Sequence, residues 1–182
     1  MNDRTLTVPN RLIQIHNTRD PFQLARLLGY AVKFLDLKNQ KGFCTNIYNN
    51  FFIFINRNLS DQMQRMTCAH ELGHILLHKD RLARTKTGKL AQFVEMELFD
   101  IKNEAEYEAN LFAANLLIDE SDMMDKLKSG YDIVSAAAYL DVNVNLLAIK
   151  LAEMSKNGLP LNLPFTPDRK FMGHIGDDTN SF

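Results

Sequence analysis

The sequence predicts an α+β fold in which a small three-stranded sheet packs on a pair of helices, with more helices toward the C-terminus. Residues 30–56 break into three short runs rich in β-branched and aromatic residues. Residues 61–78 and 103–119 instead carry apolar side chains at three- and four-residue steps, the period of a helix with one covered face. The resulting order, helix-strand-strand-strand-helix, is that of a layered α+β domain rather than of alternating βα units.

Residues 1–20 are polar with little periodicity and read as an irregular or partly helical lead-in. Asp20-Pro21 then caps a short helix through Leu28, with proline at the first helical position, where a missing N–H loses no bond. Strands are expected over Tyr30–Leu37, Phe43–Tyr48 and Phe51–Asn56, with Asn49-Asn50 as a hairpin turn. The run Phe51-Phe52-Ile53-Phe54-Ile55 is apolar at every position, which predicts cover on both faces or nearly so. Ser60, Asp61 and Gln62 open the long helix with an N-cap and an early negative charge, and a second helix begins at Asn103 and runs to about Asp119.

Past Asp119 two helical segments follow, Ser121–Lys128 and Tyr131 to about Met154, separated by Ser129-Gly130. The second is expected to break near Asp141-Val142-Asn143, giving a pair with a superficial helix-turn-helix look. With Asp132 and Asp141 present and few cations before Lys150, it reads as packing or as a docking surface for protein, not as a DNA reader. Gly158 with Pro160, Pro164 and Pro167 ends regular structure, and Gly173 to Phe182 reads as disordered. The chain therefore divides into a lead-in (1–20), a core (21–119), a C-terminal helical extension (120–157) and an irregular tail (158–182).

The long helix contains His70-Glu71-Leu72-Gly73-His74. Four residues advance a helix by about 6 Å and about 400°, so both imidazoles fall on one face and can converge on one metal ion. Glu71 lies about 100° round from His70, beside such an ion rather than on it, where a carboxylate can take a proton from water. Met63, Met66, His70, His74 and Leu77 form the apolar stripe, and Leu72 and Ile75 make the opposite face apolar as well. The ordinary alternative is a pair of core histidines bonded to backbone carbonyls. Helix packing by itself, however, does not ask for two imidazoles at ligand spacing around a glutamate.

A catalytic zinc takes three protein ligands and keeps one position open, so a further donor is needed. His78 lies about 12 Å along the axis from His70, too far to share an ion, and reads as a cation at the helix end. Asp80 stands six residues after His74, where one branch of such enzymes places a ligand after a Gly turn, but Leu77 occupies the position of that glycine. His174 sits in the tail. Among the glutamates of the second helix, Glu106 shares a face with Ala109, Asn110, Ala113 and Leu117, whereas Glu104 and Glu108 lie near the opposite side and read as solvent-facing. A carboxylate centred on an apolar face calls for a metal or a cation. The small Ala109, Ala113 and Ala114 allow a close approach to a partner helix, and Asn110 could bond a ligand from behind.

His70-Glu71-Leu72-Gly73-His74-Ile75-Leu76-Leu77-His78, followed by Glu106-Tyr107-Glu108-Ala109-Asn110-Leu111-Phe112-Ala113-Ala114-Asn115-Leu116-Leu117, resembles the ImmA/IrrE family of zincin-like metallopeptidases over about Pro21 to Leu117. The resemblance implies a zincin-like core, a Zn²⁺ ion on His70, His74 and Glu106, and Glu71 as general base in peptide-bond hydrolysis. It also implies that a strand beside the metal helix, Phe51–Asn56 or its neighbour, receives the substrate as an added strand. Tyr107, Tyr131 and His78 are nominees for stabilising the oxyanion. One departure is visible: the family pattern closes Leu-Leu-Met-Pro, whereas this chain reads Leu116-Leu117-Ile118-Asp119. As a partner the resemblance implies a protein substrate, a transcriptional repressor of a prophage or mobile element. The other reading is a zinc-stabilised binding module, such as one half of a toxin–antitoxin pair, that acts on its partner without cutting it.

With 182 residues, 46% of them apolar, the chain can bury one good core. A net charge of −1 argues against electrostatic nucleic-acid binding, and the basic stretch Lys79 to Lys89 reads as a solvated loop. No segment has the length of a membrane span or the layout of a signal peptide, which reads as cytoplasmic. Cys44 and Cys68 make no disulfide framework; Cys68 falls about 160° from His70 on the helix, and both thiols are expected simply to pack.

Overall fold

The computed structural model describes the backbone of residues 4–83 and 99–158, and the side chains of residues 4–79 and 104–158. The expected tail beyond Gly158, with His174, and most of the Lys79–Lys89 stretch lie outside the described residues, as does the side chain of Asp80. The elements run α1 (Arg4–His16), α2 (Pro21–Leu27), β1 (Ala31–Leu35), β2 (Gly42–Ile47), β3 (Asn50–Asn56), α3 (Asp61–Ala83), α4 (Phe99–Leu117), α5 (Glu120–Lys128), α6 (Ile133–Tyr139) and α7 (Val144–Lys156). The architecture is α+β, as expected.

Helix α3 is the axis of the molecule. Met66, Cys68, Ala69, Leu72 and Ile75 have no exposed surface, so this stretch is covered all round: by β2 and β3 on one side, by α4 on another, and by α1 and α2. The sheet has the order β1-β3-β2, with β1 parallel and β2 antiparallel to β3. The hairpin closes one residue earlier than expected. Tyr48 and Asn49 hold the two left-handed positions, at φ 49° and 63°, while Asn50 already pairs with Ile47. That is the two-residue turn whose twist suits flanking strands, with the Asn in its second central place.

Strand β3 is fully covered on one face and partly on the other, within the expectation of cover on both faces or nearly so. Phe51, Ile53 and Ile55 are buried beneath α3, but Phe52 and Phe54 point the other way and stay partly exposed. They stack with each other at 6.2 Å, and Phe54 stacks on Phe43 at 4.8 Å. Ring against ring across the strands shelters apolar surface where no second layer of described residues covers it.

The lead-in is also more regular than its sequence suggests, because α1 is a helix despite Pro9 within it. Proline cannot donate to the carbonyl four residues back, which orphans the oxygen of Thr5. Asn115 of α4 supplies the missing bond, its Nδ2 lying 3.0 Å from that oxygen. Arg4 performs a similar service for α3, which bends at His78 (φ −121°, ψ 25°), by donating to the carbonyls of Leu76 and Leu77 at 3.0 and 3.2 Å. Polar groups that the local sequence leaves unpaired are thus satisfied from a distant element.

The C-terminal end of α4 is finished by two cations. Arg19 donates to the carbonyls of Asn115 and Leu116 and pairs with Asp119 at 2.7 Å. Lys150, buried in α7, donates to the carbonyl of Ile118 at 3.1 Å, and burial pushes its ammonium down to about 8. Asp119 also caps α5 by accepting from the backbone of Ser121 and Asp122. The Asp at this position is therefore built into the helix exit. Helices α6 and α7 cross at 112°, but α7 buries Leu146, Leu147, Ile149 and Leu151 in the core, so the second helix of the pair is a packing element. Among the described residues no single helix is long and apolar enough to cross a membrane.

Gly42 marks where the sheet meets α3. A Cβ there would lie 2.5 Å from Thr67 Cγ2 and 2.7 Å from the carbonyl oxygen of Phe54. Gly42→Ala should therefore cost about 1–3 kcal/mol of stability through overpacking, read as a lowered midpoint in urea denaturation. An unchanged midpoint would show that strand and helix are not so closely held.

Candidate metal centre

The site forms where α3 and α4 come together backbone to backbone. A Cβ on Gly73 would stand 3.1 Å from Ala109 Cα and 3.2 Å from both the Ala109 oxygen and Phe112 Cβ, so any larger residue would push the helices apart by a few tenths of an ångström. This contact lies between the two imidazoles. It brings α4 close enough for a glutamate side chain to reach across.

His70, His74 and Glu106 meet at one point. Their Nε2 atoms are 3.0 Å apart, and the Glu106 oxygens stand 3.3 Å from His70 Nε2 and 3.4 Å from His74 Nε2. Three ligands at tetrahedral angles and about 2.1 Å from one ion would be spaced about 3.4 Å apart, so the donor set fits a zinc-sized cation with a fourth direction left over. The side chains are enclosed: 3% of His70, 5% of His74 and 16% of Glu106 is exposed. Asn110, fully buried, accepts from His70 Nδ1 at 2.9 Å, which turns the Nε2 lone pair toward the cluster.

The electrostatics follow from the same geometry. Burial alone raises the Glu106 carboxyl, but hydrogen bonds and charge from His70 and His74 outweigh it and hold the group far below the usual carboxylate range. Burial likewise depresses His74, yet the Glu106 carboxylate overcomes it and leaves that imidazole raised. Glu106 therefore stays ionised, and its charge favours a cation between it and the imidazoles.

Glu71 is 6% exposed and sits on the strand side of α3, its Cγ facing Gly42. Cys44 lies near it on β2: burial pushes that thiol up, and the nearby Glu71 and Glu106 carboxylates push it further. Cys44 is free and packed in the core, as expected, with Glu71 close by. No sequence signal could have paired residues 44 and 71, since only the sheet-on-helix packing joins them. Cys68 is buried away from the cluster and also packs.

One reading changes. Glu108, expected in solvent, has 40% of its side chain exposed and lies 3.4 Å from His78 Nε2. His78 stands, as expected, where a helical stretch ends, at the break within α3, but it is buried there and lies outside the three-residue cluster. Of the nominees for the oxyanion, Tyr107 donates its hydroxyl to Glu153 at 2.7 Å, and Tyr131 packs edge-on against Tyr139 beside Lys126. Strand β3 is paired on both edges, so only its neighbours offer a free edge among the described residues, and of these β2 packs directly on α3.

A peptidase family model described as the IrrE N-terminal-like domain matches residues 25–152. The chain belongs to the ImmA/IrrE family. It is 28% identical over 147 residues to metallopeptidase ImmA of Bacillus subtilis strain 168, covering 79% of this chain and 81% of that one. It is 34% identical over 111 residues to uncharacterized immunity region protein 2 of Bacillus phage phi105, covering 60% of this chain and 65% of the phage protein, just under two thirds. Membership in a metallopeptidase family implies a metal ion, and His70, His74 and Glu106 are, among the described residues, the cluster able to hold one.

The coupling of Glu106 to the imidazoles sets a pH dependence in protein stripped of metal by a chelator. A carboxyl held below its ordinary value of 4.5 contributes stability that is present above that pH and lost as pH falls below it. His74, raised, acts in the opposite sense: its contribution is present in acid and lost as pH rises through its folded value. Urea midpoints of the stripped protein should fall on acidification from about pH 5 to about pH 3, and Glu106→Gln should flatten that fall. Equal slopes in the two proteins would dissociate Glu106 from the imidazoles.

Proposed function

We propose that this chain is a zinc-dependent endopeptidase that cuts a partner protein, with His70, His74 and Glu106 as ligands and Glu71 as general base. The observation that carries the reading is the convergence of two imidazoles and one carboxylate within 3.0–3.4 Å, with a second carboxylate one residue from the first imidazole. Two nitrogens and an oxygen at tetrahedral spacing suit zinc better than the harder divalent ions, which prefer sets made wholly of oxygen.

When bound there, zinc supplies Lewis acidity, acidifying water and polarising the scissile carbonyl. The chain's own residues do the rest. Glu71 takes the proton of the attacking water and returns it to the leaving amine. Asn110 holds His70 in the tautomer that leaves Nε2 free. An extended substrate segment adds to the free edge of β2, whose backbone runs beside α3, so that main-chain bonds place the scissile carbonyl.

For the substrate, the likeness to a phage immunity-region protein supports a repressor of a prophage or mobile element that carries a helix-turn-helix. The test is to mix purified protein with the repressor encoded beside it, with and without chelator. The parent should release one defined fragment, chelator should abolish it, and Glu71→Gln should bind zinc as the parent does while losing at least about a hundredfold in rate. Cleavage by Glu71→Gln at the parent's rate would remove the assigned base. Full control of the repressor by that variant without cleavage would instead establish a binding module.

A further inference from the structure

Helix α4 carries its polar side chains on several faces, and each face meets a different element. Glu106 points to His70 and His74, and Glu108 to His78, all on α3. Tyr107, about 100° round the helix from Glu106, points instead to α7. Its hydroxyl donates to Glu153 Oε2 at 2.7 Å, and Lys156 Nζ lies 3.2 Å from that hydroxyl and 2.9 Å from the same carboxylate. Lys156 also stands over the Tyr107 ring, 5.1 Å from its centre. The clamp closes at the last turn of α7, just beyond the buried stretch Leu146–Leu151 that anchors this helix in the core.

Along α4 the fixing contacts change in kind. Around Ala109, Phe112 and Ala113 the helix is held by close apolar packing against α3, which sets its distance. Roll about the helix axis is opposed by side chains that reach other elements, Asn110 to His70, Glu108 to His78 and Asn115 to Thr5, all of them beyond Glu106 toward the C-terminal end. Glu106 sits one turn before Ala109, where a small rotation of α4 would carry its carboxylate off a point shared with two imidazoles. Tyr107, next to Glu106 and about 100° round the helix, adds a restraint on another face, toward α7.

We propose that Tyr107, gripped by Glu153 and Lys156, is a positioning residue that helps set the roll of α4 and so helps place Glu106 at the metal. The C-terminal helix α7 is then a working part of the centre. This rests on the reading of His70, His74 and Glu106 as ligands, and it extends that reading to side chains that touch neither metal nor substrate.

The test uses the full chain and the metal itself. Tyr107→Phe keeps the ring under Lys156 and removes the hydroxyl bond; Glu153→Gln keeps an acceptor and removes the charge. Tyr139→Phe, in the separate cluster with Lys126 and Tyr131, serves as control. Zinc affinity is read by chelator competition, and ligand geometry by the visible spectrum of the cobalt-loaded protein. Tyr107→Phe and Glu153→Gln should each weaken zinc binding about tenfold and shift the cobalt bands, with urea midpoints near that of the control. The double variant should be no weaker than the worse single one, because both break one clamp. Parent affinity and an unchanged cobalt spectrum in both single variants would overturn the clamp alone. Failure of the parent to bind zinc would overturn the ligand assignment and the clamp with it.

Discussion

The structure depends on one close approach, the backbone of α3 against the backbone of α4 at Gly73 and Ala109. Two helices normally stand 8–10 Å apart, held off by their side chains. Here a glycine between the two histidines faces an alanine one turn after Glu106, so the axes come near enough for a glutamate to span the gap. The same contact buries the carboxylate, and burial makes it dependent on the imidazoles for its charge. The geometry of the cluster and helix packing are therefore one constraint. A side chain larger than hydrogen at position 73 would disturb both.

Putting a polar centre at the middle of a small core has consequences at its margins. Helix α3 bends, α1 contains a proline, and α4 ends under the C-terminal helices; each leaves carbonyl groups without their usual partners. Arg4, Arg19, Asn115 and Lys150 supply donors to those groups from elements far away in sequence. An unpaired buried carbonyl costs about 1–3 kcal/mol, so these bonds are part of what lets the core close around the cluster. They also tie α1 and α7 to the two ligand helices, which makes the parts outside the central motif structural participants in the site.

The partly exposed aromatic face of β3 and the free edge of β2 belong to the same picture. A three-stranded sheet with one face on α3 can bury only half of its side chains, and the phenylalanines of the other face shelter one another by stacking. The edge strand nearest the metal helix is short and antiparallel, and it carries Cys44 near Glu71. Backbone groups at such an edge are suited to hold an extended chain beside the cluster.

By itself the sequence determined most of the elements and which side chains gather in the cluster. Helical period places His70, His74 and Glu106 on covered faces, because spacing along one helix is a local property that tertiary packing does not alter. The same holds for the three strands and for the break before α7. What only the tertiary structure decided lies between elements. Pro9 reads locally as a helix breaker, yet α1 forms because Asn115 takes up the orphaned carbonyl. Glu108 reads as a solvent charge until α3 bends and brings His78 to it. Tyr107 reads as a site tyrosine until α7 claims its hydroxyl. Each of these depends on distance between residues far apart in the chain, which periodicity along the chain does not encode.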